Sequence, residues 1–248
     1  MILTGLLCVM VGITLGLVGA GGSVLTVPIF VYSAKMGAQE AVSLSLLVVS
    51  VTSLIGSLRY MTRGWVNLRL AAIFIVFGSA AAFAGGHFSY LLPGKTLLLF
   101  FGTLMLVTGM ILFRKDGEEK DANLHCRPRF VPAMLISTAL GILTGFLGVG
   151  GGFLIVPVLA LLMKCSMRAA IGTSLLIISL NAMAGFAGHI AAQPVAWQSA
   201  AIYSTATVAG SLLGSSFAGR VPAGTLRKIF ALLIIATGLF VISQNIPS

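Results

Sequence analysis

Apolar residues fill long runs at 2–34, 41–58, 70–92, 96–113, 130–163, 169–192, 197–218 and 229–243, with polar residues gathered in the short segments between them. The period-2 alternation of a barrel strand is absent, so the runs read as helices, and about 20 such residues span ~30 Å of hydrocarbon. Two runs are too long for one crossing. A straight helix over 2–34 would measure about 50 Å at 1.5 Å per residue. Both overlong runs carry a glycine cluster, GLVGAGGSVLTVPIF from Gly16 and GFLGVGGGFLIVPVL from Gly145. The glycines divide each run into two arms of about 15 residues, which predicts a hairpin that enters and leaves on one side of the membrane.

The clusters belong to a repeat. Shifting the chain on itself by 129 positions pairs Gly16, Gly19, Gly21, Gly22, Val27 and Pro28 with Gly145, Gly148, Gly150, Gly151, Val156 and Pro157, without gaps. The register continues through Lys35 with Lys164, Ser45 with Ser174, Ser50 with Ser179, Gly85 with Gly214 and Thr108 with Thr237. This predicts an all-α polytopic membrane protein made of two copies of one fold. Residues 1–113 form the first and 130–248 the second, each a glycine-broken re-entrant hairpin plus three transmembrane helices, with a charged cytoplasmic linker over 114–129. Internal repeats of this kind typify transporters.

Composition supports the membrane class: 58% of the 248 residues are hydrophobic and 8% charged. The first run lacks a basic leading segment and continues into the glycine motif, so it reads as part of the mature fold rather than as an export signal. The net charge of +10 acts as a topology signal. If all eight runs simply cross, the basic residues divide almost evenly. If the two glycine-split runs turn back, Lys35 and Lys95 lie on one side and the other thirteen of the fifteen basic residues on the opposite side. The positive-inside rule favours the second arrangement. Turning back only 130–163 gives the same division, so charge supports that hairpin directly and the repeat extends it to 2–34. Three crossings per copy then invert the second copy against the first and place both termini outside the cytoplasm. The polar segment Arg114–Arg129 mixes its bases with four acids, which reads as a solvated linker and not as a nucleic-acid surface.

Broken helix at membrane depth exposes backbone amides and carbonyls, and is tolerated only inside protein or beside a watery cavity. Each second arm starts just after its glycines, near Ser23 and near Gly152. A helix start offers free amides and about half a positive charge, and glycine lets a ligand approach the backbone. In inverted copies the two starts are expected to face each other near the bilayer centre, forming a site for a small anion. The expected anion site comprises Gly19, Gly21, Gly22 and Ser23 with Gly148, Gly150, Gly151 and Gly152. Ser45 and Thr52, seven apart on one helix face, and their mates Ser174 and Asn181 add polar lining. Close helix packing is the competing explanation for the glycines. Pro28 and Pro157 are expected kinks in the second arms.

No carboxylate occupies the middle of any run, which argues against a cation carrier; Glu40, near a helix start, is the one acid outside the linker. All lysines and arginines lie at or beyond helix ends, so dipoles and neutral donors are expected to hold the anion. His87 and His189 are expected near the outer membrane surface, and Tyr60, Trp65, Tyr90 and Trp197 at the headgroups. Cys8, Cys126 and Cys165 lack CxxC spacing and read as packing or loop residues, without a zinc or redox signature. The fold calls for no cofactor and no metal. Its partners are the lipid bilayer and a small anionic substrate.

The paired glycine motifs in a two-copy chain of this length resemble the TauE/SafE sulfite exporter family of bacterial permeases. The resemblance covers both copies. It implies a secondary transporter of the bacterial inner membrane for a small sulfur-containing anion such as sulfite, sulfoacetate or a related organosulfonate. The motif role passes to Gly19, Gly21, Gly22 and Pro28 and to Gly148, Gly150, Gly151 and Pro157. Ser23 pairs with Gly152, so a hydroxyl contact there is one-sided. An anion channel, a carrier of another organic anion and a structural membrane partner remain alternatives. An intramembrane enzyme is disfavoured, because no HExxH motif or buried carboxylate is present.

Overall fold

The computed structural model describes residues 2–19, 21–88, 94–114, 130–147, 152–190, 197–217 and 221–245. In the first copy the helices are α1 (Ile2–Val18), α2 (Gly21–Pro28) followed by a π-helical turn (Ile29–Ser33), α3 (Ala38–Thr62), α4 (Leu68–Phe88) and α5 (Gly94–Arg114). The second copy has α6 (Phe130–Leu147), α7 (Gly152–Leu161), α8 (Met167–Ile190), α9 (Trp197–Phe217) and α10 (Ala223–Asn245). The first overlong run is therefore broken at its glycines, and in the second α6 and α7 lie on either side of residues 148–151, which are outside the described residues. The linker, with Cys126 and His125, and Tyr90 lie outside the described residues.

Among the described residues, α3, α4, α5, α8 and α10 are long and apolar enough to cross a membrane. Helix α9 matches them in length at 21 residues but falls short in apolarity. The reason is local: Thr207, Ser211 and Ser215 are spent on a buried interface rather than on lipid contact.

Glycines bring the copies together at backbone distance. A Cβ on Gly12 or Gly16 of α1 would stand 2.0 Å or 2.3 Å from the carbonyl oxygens of Thr207 or Ser211 in α9. A Cβ on their mates Gly141 and Gly145 of α6 would stand 2.3 Å and 2.0 Å from the carbonyl oxygens of Gly78 and Ala82 in α4, which are the mates of the α9 residues. Each copy thus lends its first helix to the other copy's fourth, through two seams with one geometry.

The other mates cross each other. Ser50 Oγ donates to the carbonyl of its own mate, Ser179, at 2.8 Å. On one side of that bond Gly56 of α3 lies against Leu175 of α8 and Gly172 against Tyr60, and on the other Gly185 lies against Leu46, so α3 and α8 run antiparallel. Helices α5 and α10 do the same, with Gly102 against Gly238 and Gly109 against Ala231. The central core is itself paired: Val27 with Val156, Val42 with Ile171 and Leu46 with Leu175 all belong to one buried cluster.

Several expected surface residues are interior. Tyr60 is 1% exposed and its hydroxyl donates to the Gly16 carbonyl at 2.9 Å, so it pins α1 to α3 instead of reaching headgroups. His189 is buried, with Nδ1 3.0 Å from the Gly185 carbonyl and close to Gly86. A membrane-facing position required a side chain larger than glycine opposite it, and α4 supplies none. His87 and Trp197 are exposed as expected. Cys8 is a buried free thiol, and Cys165 packs in the core as expected but is also disulfide-bonded, which corrects the expectation of no redox chemistry there. Bridging depends on how closely Cβ atoms approach in space, which spacing along the chain does not encode.

Candidate functional site

Helix α1 stops because Gly19 turns left-handed, at φ +76°, while its N–H still donates to the Leu15 carbonyl at 2.8 Å. A left-handed backbone after the last helical residue is the usual glycine terminator. A second constraint acts on the same residue. A Cβ there would stand 2.6 Å from Ile171 Cγ2 and 3.0 Å from Ile171 Cα, so the tip of the first copy is pressed onto α8 of the second. Gly21 and Gly22 then open α2, with Ser23 in its first turn, and Gly152 opens α7. Gly148, Gly150 and Gly151 lie outside the described residues.

Helices α1 and α2 fold back on each other, and a Thr4 Oγ1 to Ser33 Oγ hydrogen bond of 3.1 Å joins the start of α1 to the end of the π turn. Pro28, lacking an N–H, stands where α2 widens into that turn, so the expected distortion is present; Pro157 lies inside α7. Both second arms end alike. Ala34 N–H donates to Ile29 and Met36 N–H to Phe30, while Met163 N–H donates to Val158 and Cys165 N–H to Leu159. Lys35 and Lys164, mates in the repeat, both adopt left-handed φ, at 55° and 52°.

The first tip lies off the α3–α8 crossing. Ile171 lies eight residues from Ser179, where α3 and α8 cross, which is about 12 Å along the helix toward Met167. The 17 residues of α1 reach about 25 Å. The second tip expected to face it falls on residues 148–151, outside the described residues.

The four expected lining residues differ in their partners. Thr52 Oγ1 donates to Val48 and Ser174 Oγ to Ile171, so both hydroxyls serve their own helices. Asn181 Oδ1 accepts from Ser79 Oγ of α4 at 2.9 Å. Ser45 is 0% exposed and its hydroxyl has no hydrogen-bond partner. Ser174 lies one turn beyond Ile171, which brings it near the tip.

A cationic cluster accompanies the tip. Gly172, next to Ile171, packs on Tyr60 and on the Trp65 carbonyl. The Trp65 ring carries two guanidinium groups, Arg63 at 5.2 Å and Arg168 at 5.4 Å from its centroid. Both arginines are exposed, and neither has a carboxylate partner among the described residues. Arg168 occupies the first turn of α8, the positive end of that helix dipole, where a cation is disfavoured by about 0.3–1 kcal/mol. Two helix starts and two arginines thus concentrate positive charge, with no carboxylate partner among the described residues. Sequence reasoning placed these arginines at helix ends but had no signal that positions 63, 65 and 168 converge; the tryptophan between two cationic ends was the one available hint. An apolar groove of about 610 Å³, lined by Leu7, Pro28, Tyr32 and Phe240 among others, opens elsewhere and includes none of these groups.

Among known proteins, the family model described as Sulfite exporter TauE/SafE matches residues 4–241. The chain is 32% identical over 241 residues to a probable membrane transporter protein of Xylella fastidiosa (strain Temecula1), covering 95% of this chain and 92% of the relative. It is 26% identical over 275 residues to the probable membrane transporter protein YunE of Bacillus subtilis, covering 100% of this chain and 98% of the relative. No solved structure matches. With five helices long and apolar enough to cross a membrane among the described residues and a family match running from Thr4 to Val241, this multi-pass membrane protein belongs to the Sulfite exporter TauE/SafE family of membrane transporters.

Proposed function

We propose that the protein is a secondary transporter of a small sulfur-containing anion, sulfite, sulfoacetate or a related organosulfonate, working by alternating access in the bacterial inner membrane. The anion binds at the start of α2, Gly21 to Ser23, beside the contact of Gly19 with Ile171 of α8. It is drawn there past Arg63 and Arg168. The observation that carries this reading is the arginine pair on Trp65, without a carboxylate partner among the described residues, next to a glycine tip pressed onto the opposite copy. Sulfonate and sulfite oxygens match planar guanidinium donors and helix-start amides, and the family description points to the same chemistry.

The antiparallel crossings of α3 with α8 and of α5 with α10 support an inverted pair of copies. Combined with the charge bias, inversion puts Arg63 and Arg168 at the cytoplasmic face and both termini outside. The repeat assigns the start of α7 at Gly152 the equivalent role toward the outer face, and rocking of the copies about the α3–α8 crossing exposes the sites alternately.

A thermal-shift screen tests the reading. Purified protein is heated with sulfoacetate, other sulfonates, sulfite, sulfate or carboxylates, beside Gly21→Leu and an Arg63→Gln, Arg168→Gln variant. Stabilisation by sulfur oxyanions that both folded variants lose supports the site; ligand at about 100 times Kd adds about 2.7 kcal/mol. Stabilisation by carboxylates alone, or a shift that survives in both variants, contradicts it.

A further inference from the structure

The two seams related by the repeat share a backbone geometry and differ in polarity. Where α1, α3 and α9 meet, the buried faces carry Ser53, Ser57, Thr207, Ser211 and Ser215. Their mates around α6, α8 and α4 are Ala182, Phe186, Gly78, Ala82 and Gly86. The polar groups of the second seam are satisfied: Asn181, which lies against Gly78, accepts from Ser79, and Thr144 donates to the Leu140 carbonyl.

Ser57, Thr207 and Ser215 return their hydroxyls to their own helices. Ser53 and Ser211 do not: both are 0% exposed, and neither Oγ has a hydrogen-bond partner among the described residues. A helical serine can normally bond the carbonyl three or four residues back, so two that leave this bond unmade share an unusual environment. They also share a space. Ser211 Oγ lies 3.0 Å from where a Cβ on Gly56 would stand, and Ser53 precedes Gly56 by one turn on the same face of α3. The seam leads to arginines: Arg59 donates to the Leu212 carbonyl at 2.9 Å and to Ser216, and Arg63 to the Ser215 carbonyl at 3.4 Å.

We propose that the α1–α3–α9 seam is a one-sided path for small oxyanions, with Ser53 and Ser211 as a buried station whose hydroxyls donate to the anion's oxygens. The sulfonate class of that anion rests on the transporter reading above; the accessibility of the seam does not. Arg59 and Arg63 form its mouth. The α4–α6–α8 seam, with alanine and glycine in place of the serines, is closed to anions.

Substituted-cysteine labelling tests this on the full-length protein in vesicles. Ser53→Cys, Ser211→Cys and the mates Ala182→Cys and Ala82→Cys are treated with the anionic reagent 2-sulfonatoethyl methanethiosulfonate and with its trimethylammonium analogue. Rates are taken above those of the parent chain. The anionic reagent should modify the two serine positions at least about ten-fold faster than the alanine positions and faster than the cation does, with sulfoacetate slowing it. No labelling at either seam, equal labelling at both, or equal rates for anion and cation would each overturn the path.

Ser53→Ala with Ser211→Ala supplies the second measurement, because it installs the residues that the mates already hold. This variant should keep its thermal midpoint and lose sulfoacetate transport at least about ten-fold, the loss expected when two hydrogen bonds to a charged ligand are removed. Unchanged transport would refute the station. Selective labelling of the serines by a protein that transports no sulfur anion would sustain the path and refute the transporter's proposed substrate.

Discussion

Replacing Gly19 with alanine tests the contact on which the tip's position depends. An L residue held in left-handed backbone costs about 1–2 kcal/mol. The added Cβ, 2.6 Å from Ile171 Cγ2 and 3.0 Å from Ile171 Cα, meets a side chain and a backbone atom of a buried helix, and overpacking of this kind costs about 1–3 kcal/mol. Together the two effects predict a loss of about 2–5 kcal/mol. Two further glycines separate them. Gly64 has φ +69° with nothing within 4 Å of an added Cβ, so Gly64→Ala should show the backbone cost alone, about 1–2 kcal/mol. Gly5, helical and also without a neighbour within 4 Å, should gain about 1 kcal/mol on change to alanine. Unfolding in mixed micelles with increasing dodecyl sulfate, followed by circular dichroism, should rank Gly5→Ala above the parent, then Gly64→Ala, then Gly19→Ala. If Gly19→Ala matches Gly64→Ala, the tip does not press on α8. If it matches the parent, the left-handed turn is absent.

Other outcomes follow from the paired geometry. Gly16→Ala and Gly145→Ala each drive a Cβ to 2.3 Å and 2.0 Å from a backbone carbonyl oxygen, so both should sharply reduce the yield of folded protein; tolerance of one alone would break the equivalence of the seams. Lys35→Gly and Lys164→Gly should each be net stabilising by up to about 1 kcal/mol in the same unfolding assay, since relief of left-handed strain exceeds the lost helix-end charge interaction, and a net loss would refute this balance. Impermeant thiol reagents applied to intact cells should reach cysteine tags at both termini; protection of both would reverse the charge argument, and protection of one would remove the pair of hairpins.

The break in the first overlong run was legible because a glycine cluster interrupts an otherwise continuous apolar pattern, and the shift of 129 was legible because it needs no gaps. Even the left-handed Lys35 and Lys164 were visible as a matched pair, although not as a conformation. Partner exchange between copies was hidden: nothing along the chain says that Gly12 faces Thr207 rather than a residue of its own copy. For the same reason Tyr60 and His189 were misplaced at the surface, since their burial depends on Gly16 of α1 and Gly86 of α4. Of the candidate site, the glycine roles at Gly19 and Gly21 could be anticipated from backbone physics. The arginine pair on Trp65 and the unpartnered Ser53 and Ser211 arise from positions more than a hundred residues apart, where periodicity carries no information.

The central claim is carrier transport of a sulfur oxyanion, and counterflow in proteoliposomes measures it most directly. Vesicles loaded with unlabelled sulfoacetate or another small sulfonate are diluted into a trace of the labelled anion. The account predicts transient accumulation of label, lost when the vesicles are empty and in Arg63→Gln, Arg168→Gln. Failure of every sulfonate and sulfite to exchange, or label entry that is indifferent to the internal anion, would contradict it.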